Sequence, residues 1–124
     1  MDPDNDYSED GPTLSFEALE KIREMTNHDP DHFQRLVHEF INTADQLVGE
    51  MVTAQEAQQL EDYWKAAHSL RPMCAMFGAV ALTRLSDRAE ILGRSNAIRQ
   101  LPPVTDRIQA AFAEVRSILQ NDVL

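Results

Sequence analysis

Hydrophobic residues recur along this chain at intervals of three and four, the spacing that places side chains on one side of an α-helix. The clearest run lies between residues 33 and 51 and consists of Phe33, Val37, Phe40, Ala44, Leu47 and Met51. No segment shows the sustained alternation or the Asn-Gly turn that is typical of β-hairpins. The pattern therefore predicts an all-α protein.

Five helices follow from this periodicity and from the residues that begin and end helices. They are predicted at about residues 16–25, 30–55, 60–77, 81–92 and 103–119. Asp29 and Pro30 suit the cap and the first position of the second helix, while Gly78 and Gly93 are expected to end the third and fourth. Four long amphipathic helices with mostly short connections predict an antiparallel, up-down-up-down four-helix bundle, with the short N-terminal helix as an addition.

Acidic residues outnumber basic residues by 21 to 11, and the formal net charge is −10. Five of the acids fall within residues 1–12, which contain no basic residue. We predict an acidic flexible tail or linker over residues 1–12 and one bundle domain over residues 13–124. The charge argues against nucleic acid and anionic membranes as partners, and no apolar run approaches the ~20 residues of a membrane span. With no visible signal peptide and a single cysteine, Cys74, we expect a cytoplasmic location.

His68 lies in the third predicted helix, roughly opposite the stripe that should face the core. That stripe consists of Tyr63, Ala66, Leu70, Met73 and Phe77. On the exposed side, the neighbours of His68 one or two turns away are Trp64, Lys65, Arg71, Pro72 and Ala75. A tryptophan beside small residues on such a surface is a candidate docking patch, although an incidental surface histidine is an open alternative.

A solvent-facing imidazole can act as a general base, a metal ligand or a covalent nucleophile. A convex helix surface offers no pocket for general-base chemistry, and no histidine or carboxylate lies three or four residues after His68 to complete a metal site. Nucleophilic attack on a phosphoryl group fits better, because Arg71 and Lys65 could attract the anionic group. We predict no metal site elsewhere, since His28 precedes the helix that holds His32.

Residues 67–79 resemble the signature of the histidine-containing phosphotransfer (HPt) domain, approximately A-H-x-L-K-G-x-x-x-x-x-G-A. The chain has Ala67, His68, Leu70, Gly78 and Ala79 at the spacing of that signature. The resemblance extends over about residues 14–119 and includes the order of the helices. Two positions depart from it, because Arg71 and Pro72 stand where the family usually has lysine and glycine. Pro72 has no N–H for the carbonyl of His68, so a kink is expected there.

The resemblance implies that His68 accepts a phosphoryl group from a receiver-domain aspartate and passes it to another. Arg71 would stabilise the phosphoryl charge, Lys65 would add a second charge, and Glu90 falls where family members often carry a residue that orients the histidine. The receiver would supply the Mg²⁺, and no intrinsic cofactor or autonomous catalysis is expected. Receiver binding or the adjoining turn would involve Trp64, Pro72, Ala75 and Gly78.

The implied partners are receiver domains of response regulators and a hybrid sensor histidine kinase. The chain would be either a free-standing monomer or the C-terminal module of such a kinase, without contact to a membrane. Pro72 keeps a second function open, a helical adaptor that binds receiver or kinase domains and is never phosphorylated. A carboxylate-bridged metal bundle is a third alternative, but the inward stripes lack the Glu and His ligands that it requires.

Overall fold

The computed structural model describes residues 13–124, and within this range it contains helices and turns but no strand. The helices are α1 (Phe16–Met25), α2 (Pro30–Glu56), α3 (Leu60–Met76), α4 (Val80–Arg94) and α5 (Leu101–Ile118). A 3₁₀ turn at Ile98–Gln100 precedes α5, and a π-helical turn at Leu119–Val123 follows it. The all-α prediction is confirmed. The predicted acidic tail, residues 1–12, lies outside the described residues.

The four long helices form a closed bundle, because α2 packs on α3, α3 on α4, α4 on α5 and α5 on α2. Short turns join α2 to α3 and α3 to α4, so these neighbours run antiparallel. The shorter α1 contacts α2 and lies beside the bundle. The core between the helices contains large side chains that are almost fully buried, among them Met51, Tyr63, Leu70, Leu85 and Ile108. None of the helices in residues 13–124 is long and apolar enough to cross a membrane.

Local signals explain where α2 begins and where α3 ends. The carboxylate of Asp29 accepts hydrogen bonds from the backbone N–H groups of Asp31 and His32, and Pro30 occupies the first turn, as predicted. Gly78 follows the end of α3 with a φ of 73°, a conformation that glycine adopts without steric cost. The turn at Gly78 joins α3 and α4 into the tight antiparallel pair that contains the candidate site.

The prediction that Gly93 ends α4 is wrong. α4 continues to Arg94, and Gly93 is buried at the contact between α4 and α3. A Cβ at this position would lie 2.8 Å from the Cβ of Trp64, so only glycine allows the two helices to approach this closely. The last helix also begins two residues earlier than predicted, at Leu101, because its first turn tolerates prolines that have no N–H.

Cys74 is not a member of the core stripe predicted for the third helix, yet it is fully buried. Its exposure is 0 %, as is that of Ala67, so α3 buries a wider face than the predicted stripe. The reason is that α3 lies between α2 and α4 and contacts both helices. Burial raises the pKa of the Cys74 thiol to about 12, and the thiol is therefore neutral at physiological pH.

We expect Cys74 to be unreactive toward an aromatic disulfide reagent in the folded protein. The thiolate is the reactive form, and both the raised pKa and the surrounding core keep it out of reach. Absorbance of the released thiol should show one reactive group in denaturant and almost none in buffer. A native thiol that reacts as fast as the denatured one would contradict the buried position.

Candidate functional site

His68 lies in α3 on the side that faces away from the core, as the sequence predicts. Its side chain is 55 % exposed, whereas Ala67 and Leu70 on the inner side are fully buried. The helix itself thus determines that the ring projects toward solvent.

A carboxylate from the neighbouring helix holds the ring of His68. The Nδ1 atom lies 3.0 Å from Oε2 of Glu90, whose side chain is only 11 % exposed. An ionised carboxylate can only accept hydrogen bonds, so Nδ1 carries the hydrogen and donates it. The lone pair of the neutral ring is consequently on Nε2, at the end of the side chain away from the backbone. Glu90 thus stands where it can orient His68, as the resemblance implies.

Arg94 fixes Glu90 in turn. Its Nε and Nη2 atoms both lie 3.0 Å from Oε2 of Glu90, one turn earlier on α4. The guanidinium also stacks on the indole of Trp64, 3.9 Å from the ring centroid. Trp64 is therefore half-buried beneath Arg94. The sequence predicted an exposed tryptophan, and the structure corrects this prediction. A chain of contacts runs from Trp64 through Arg94 and Glu90 to His68.

Arg71 and Lys65 lie on the same face of α3, but both already have carboxylate partners. Nη1 of Arg71 donates to Oδ1 of Asp87 at 3.2 Å, and Nη2 lies 4.0 Å from Oε1 of Glu90. Lys65 pairs with Glu61 at 2.8 Å, and this hydrogen bond raises the pKa of Lys65 and lowers that of Glu61. Of the two cations, only Arg71 connects α3 to the carboxylates of α4.

The remaining predicted residues have different surroundings. Pro72 and Ala75 are exposed on α3, and α3 remains one helix from Leu60 to Met76 across the proline. Gly78 is buried in the turn after α3, where a Cβ would lie 2.7 Å from that of Ala18. Gly78 thus lies in the turn, and together with Ala75 it also lines a shallow depression at the surface.

Sequence reasoning missed Asp87 and Arg94, although both contribute to the site. The signal for Arg94 was present, because Glu90 and Arg94 have the i,i+4 spacing that places two side chains on one helix face. Asp87 pairs with a residue of another helix, so it had no local signal. Together the side chains present a histidine whose Nδ1 is occupied, whose Nε2 is available and whose neighbours include three cations. This arrangement suits attack on an anionic electrophile.

Comparison with known proteins identifies the family. The model of the family described as Hpt domain matches residues 35–118, more than half of the sequence. The chain belongs to the Hpt-domain family. This Hpt domain is also similar in fold to the crystal structure of histidine-containing phosphotransfer protein B (HptB) from Pseudomonas aeruginosa PAO1. The TM-score is 0.83 and the sequence identity is 20 %, over 90 % of this chain and 95 % of that chain. No curated protein matches the chain significantly.

Membership of the family gives the function at its general level. The Hpt domain has a histidine phosphotransfer role in phosphorelay signalling and is a phosphocarrier rather than an enzyme of the usual kind. Hpt domains interact in such relays with receiver domains of response regulators and with kinases. Within residues 13–124 no group of three or more His, Cys, Asp or Glu side chains could hold a metal ion.

Replacing Glu90 by alanine is expected to slow phosphoryl transfer to the Hpt domain by about tenfold, because the ring of His68 loses its hydrogen-bond acceptor and its fixed orientation. Glu90→Gln keeps an acceptor oxygen at the same reach and should recover part of the rate. The measurement is the initial rate of labelling by a phosphorylated receiver domain. Glu56→Ala, at an exposed position of α2, is the control. A wild-type rate for Glu90→Ala would exclude the orienting role.

Proposed function

We propose that His68 is the residue that carries the phosphoryl group in this Hpt domain. The observation that supports this most directly is the hydrogen bond between Nδ1 of His68 and Glu90. The side chain of His68 is held by this bond although it is more than half exposed. A free surface histidine samples many orientations and both neutral tautomers. The bond to Glu90 selects the tautomer with the lone pair on Nε2 and holds it toward an incoming partner.

Transfer of the phosphoryl group from the receiver aspartate to His68 balances in bonds and electrons. The Nε2 lone pair forms the N–P bond while the P–O bond to the aspartyl carboxylate of the donor breaks, and that carboxylate leaves with the bonding electrons. The hydrogen on Nδ1 stays on the ring, which becomes positively charged, and Glu90 stabilises this charge across the 3.0 Å hydrogen bond. Onward transfer to a second receiver is the same step in reverse.

The surrounding cations would balance the charge of the phosphoryl group. Arg71 is half-exposed, lies one turn after His68 and shares its face of α3, so its guanidinium can take a phosphoryl oxygen as a further acceptor. Lys65, one turn before His68, would contribute at longer range. Arginine in place of the usual lysine supplies a planar donor pair rather than a point charge.

The partner would bring the rest of the chemistry. A receiver domain supplies the aspartate and the Mg²⁺, and the Hpt domain supplies a positioned nucleophile without catalysing a reaction alone. A hybrid sensor histidine kinase would be the upstream partner and a second receiver the downstream one. We place the relay in the cytoplasm. We also take the Hpt domain to act as a monomer, because a single copy presents the complete set of residues from Trp64 to Arg94.

Incubation with a panel of phosphorylated receiver domains tests the proposal. We expect at least one receiver to transfer its phosphoryl group, and the product to be labile in acid and stable in base, as a phosphoramidate is. Peptide mapping under neutral conditions should locate the label in the peptide that contains His68. Tight receiver binding without any label would instead favour the adaptor function that Pro72 leaves open.

A further inference from the structure

Charge is distributed unevenly over this Hpt domain. Residues 63–105 contain six basic and two acidic side chains, a net charge of +4 within a chain whose total is −10. The rest of the described chain, residues 13–62 and 106–124, contains five basic and fourteen acidic side chains, a net charge of −9. The basic segment includes His68 and all of α4. Glu61 and Asp62 lie just outside this segment at the start of α3, so α3 and α4 together, residues 60–94, carry five basic and four acidic side chains, a net charge of +1 on an otherwise acidic protein.

The two acids of this segment already have cationic partners. Asp87 pairs with Arg71, and Glu90 pairs with Arg94. Arg84 is exposed on α4 and, unlike Arg71 and Arg94, has no ion-pair partner among residues 13–124. No ion pair within residues 13–124 therefore has to break before Arg84 binds a partner.

Arg84 also borders a shallow apolar depression of about 210 Å³, whose other lining residues are Ala75, Gly78, Val80 and Thr83. Ala75 lies seven residues after His68, which is two helical turns on the same side of α3, or about 10 Å along the axis. A standard interface covers about 800 Å² of each partner, a patch roughly 16 Å in radius. A partner centred on His68 consequently covers Ala75 and reaches the depression that Arg84 borders.

A partner that delivers a phosphoryl group from an aspartate brings anionic groups to the contact. It carries the acyl phosphate, and it needs further carboxylates to hold the Mg²⁺. We propose that Arg84 binds a carboxylate on the receiver domain that docks over His68, and that the depression beside Arg84 receives an apolar side chain of the same partner. Ile91, seven residues after Arg84 on the same side of α4 and 46 % exposed, extends this docking surface. The inference rests on the proposed function.

A charged rim contact of this kind acts mainly on the association rate, and it weakens as salt screens the charges. Arg84→Glu should therefore lower the second-order rate constant of labelling about tenfold at low sodium chloride concentration, and the difference from wild type should narrow at high concentration. The receiver that labels the wild-type protein fastest, phosphorylated by a small acyl phosphate, is the probe.

Arg35→Glu is the matched control. Arg35 is also exposed on a helix and has no ion-pair partner among the described residues, but it lies in α2, outside the basic segment. Both substitutions change the net charge by the same amount, so an effect of total charge would appear in both. Thermal unfolding monitors whether each variant keeps the fold. Arg84→Gln should show a smaller loss of the labelling rate constant than Arg84→Glu.

The outcomes separate the two proposals. A wild-type protein that no phosphorylated receiver labels refutes the proposed function, and the docking inference with it. Labelling of wild type with equal rates for Arg84→Glu and Arg35→Glu overturns the docking inference alone. A loss confined to Arg84→Glu and relieved by salt supports it.

Discussion

Replacing His68 by glutamine is expected to abolish labelling of this Hpt domain by a phosphorylated receiver. The glutamine amide has a similar length and polarity, but its nitrogen lone pair is delocalised and cannot attack phosphorus. Because no other histidine lies in α3 or faces Glu90, no neighbouring group can replace the nucleophile. Quantitative transfer assays with the receiver that labels wild type most rapidly would measure the loss.

His38→Gln is a suitable control for this experiment, since His38 is an exposed histidine on α2. We expect it to be labelled at the wild-type rate. Labelling that survives in His68→Gln would refute the assignment of the carrier histidine and redirect attention to His28, His32 and His38.

Binding should survive the loss of transfer. His68→Gln leaves Arg84 and the depression beside it unchanged, so the affinity for a receiver in calorimetry should stay within about threefold of wild type. Intact binding without labelling would separate the chemical role of His68 from the docking surface around it.

Gly78→Ala is expected to have the largest effect on stability. Gly78 has a φ of 73°, where an L side chain is strained, and the added Cβ would lie 2.7 Å from the Cβ of Ala18 and 2.8 Å from that of Ser15. Both contacted atoms are Cβ atoms, which move only if their backbone moves. The backbone of Ser15 is tied to the turn, because its N–H donates to the carbonyl of Gly78. Strain and overpacking together should lower the free energy of unfolding by about 3 kcal/mol.

Urea unfolding followed by circular dichroism would measure this change, and Gly49→Ala provides the matched control. Gly49 lies in α2, is exposed, and a Cβ there would meet no atom within 4 Å. The same substitution should therefore stabilise the protein by about 0.5–1 kcal/mol, because alanine favours the helix over the unfolded chain. Similar effects at both positions would contradict the packing of α1 against the α3–α4 turn.

Much of the fold could be predicted because the relevant signals are local. Helix periodicity and caps act over three or four residues, and they correctly gave α1, the start of α2 and the turn at Gly78. Errors arose where a residue's role depends on a neighbouring helix. Gly93 resembles a helix stop but allows α4 to approach α3, and Cys74 is buried because α3 has neighbours on two sides.

The sequence by itself determined that His68 points away from the core and that cations flank it, since both follow from the rotation of a single helix. Only the tertiary structure decided which partners hold these side chains. Nδ1 of His68 donates to Glu90, and Nη1 of Arg71 donates to Asp87. Arg94 donates to Glu90 and stacks on Trp64. These contacts join residues of α3 to residues of α4 that lie up to 30 positions away in the chain. Their geometry follows from how closely two helices pack, which no local pattern encodes.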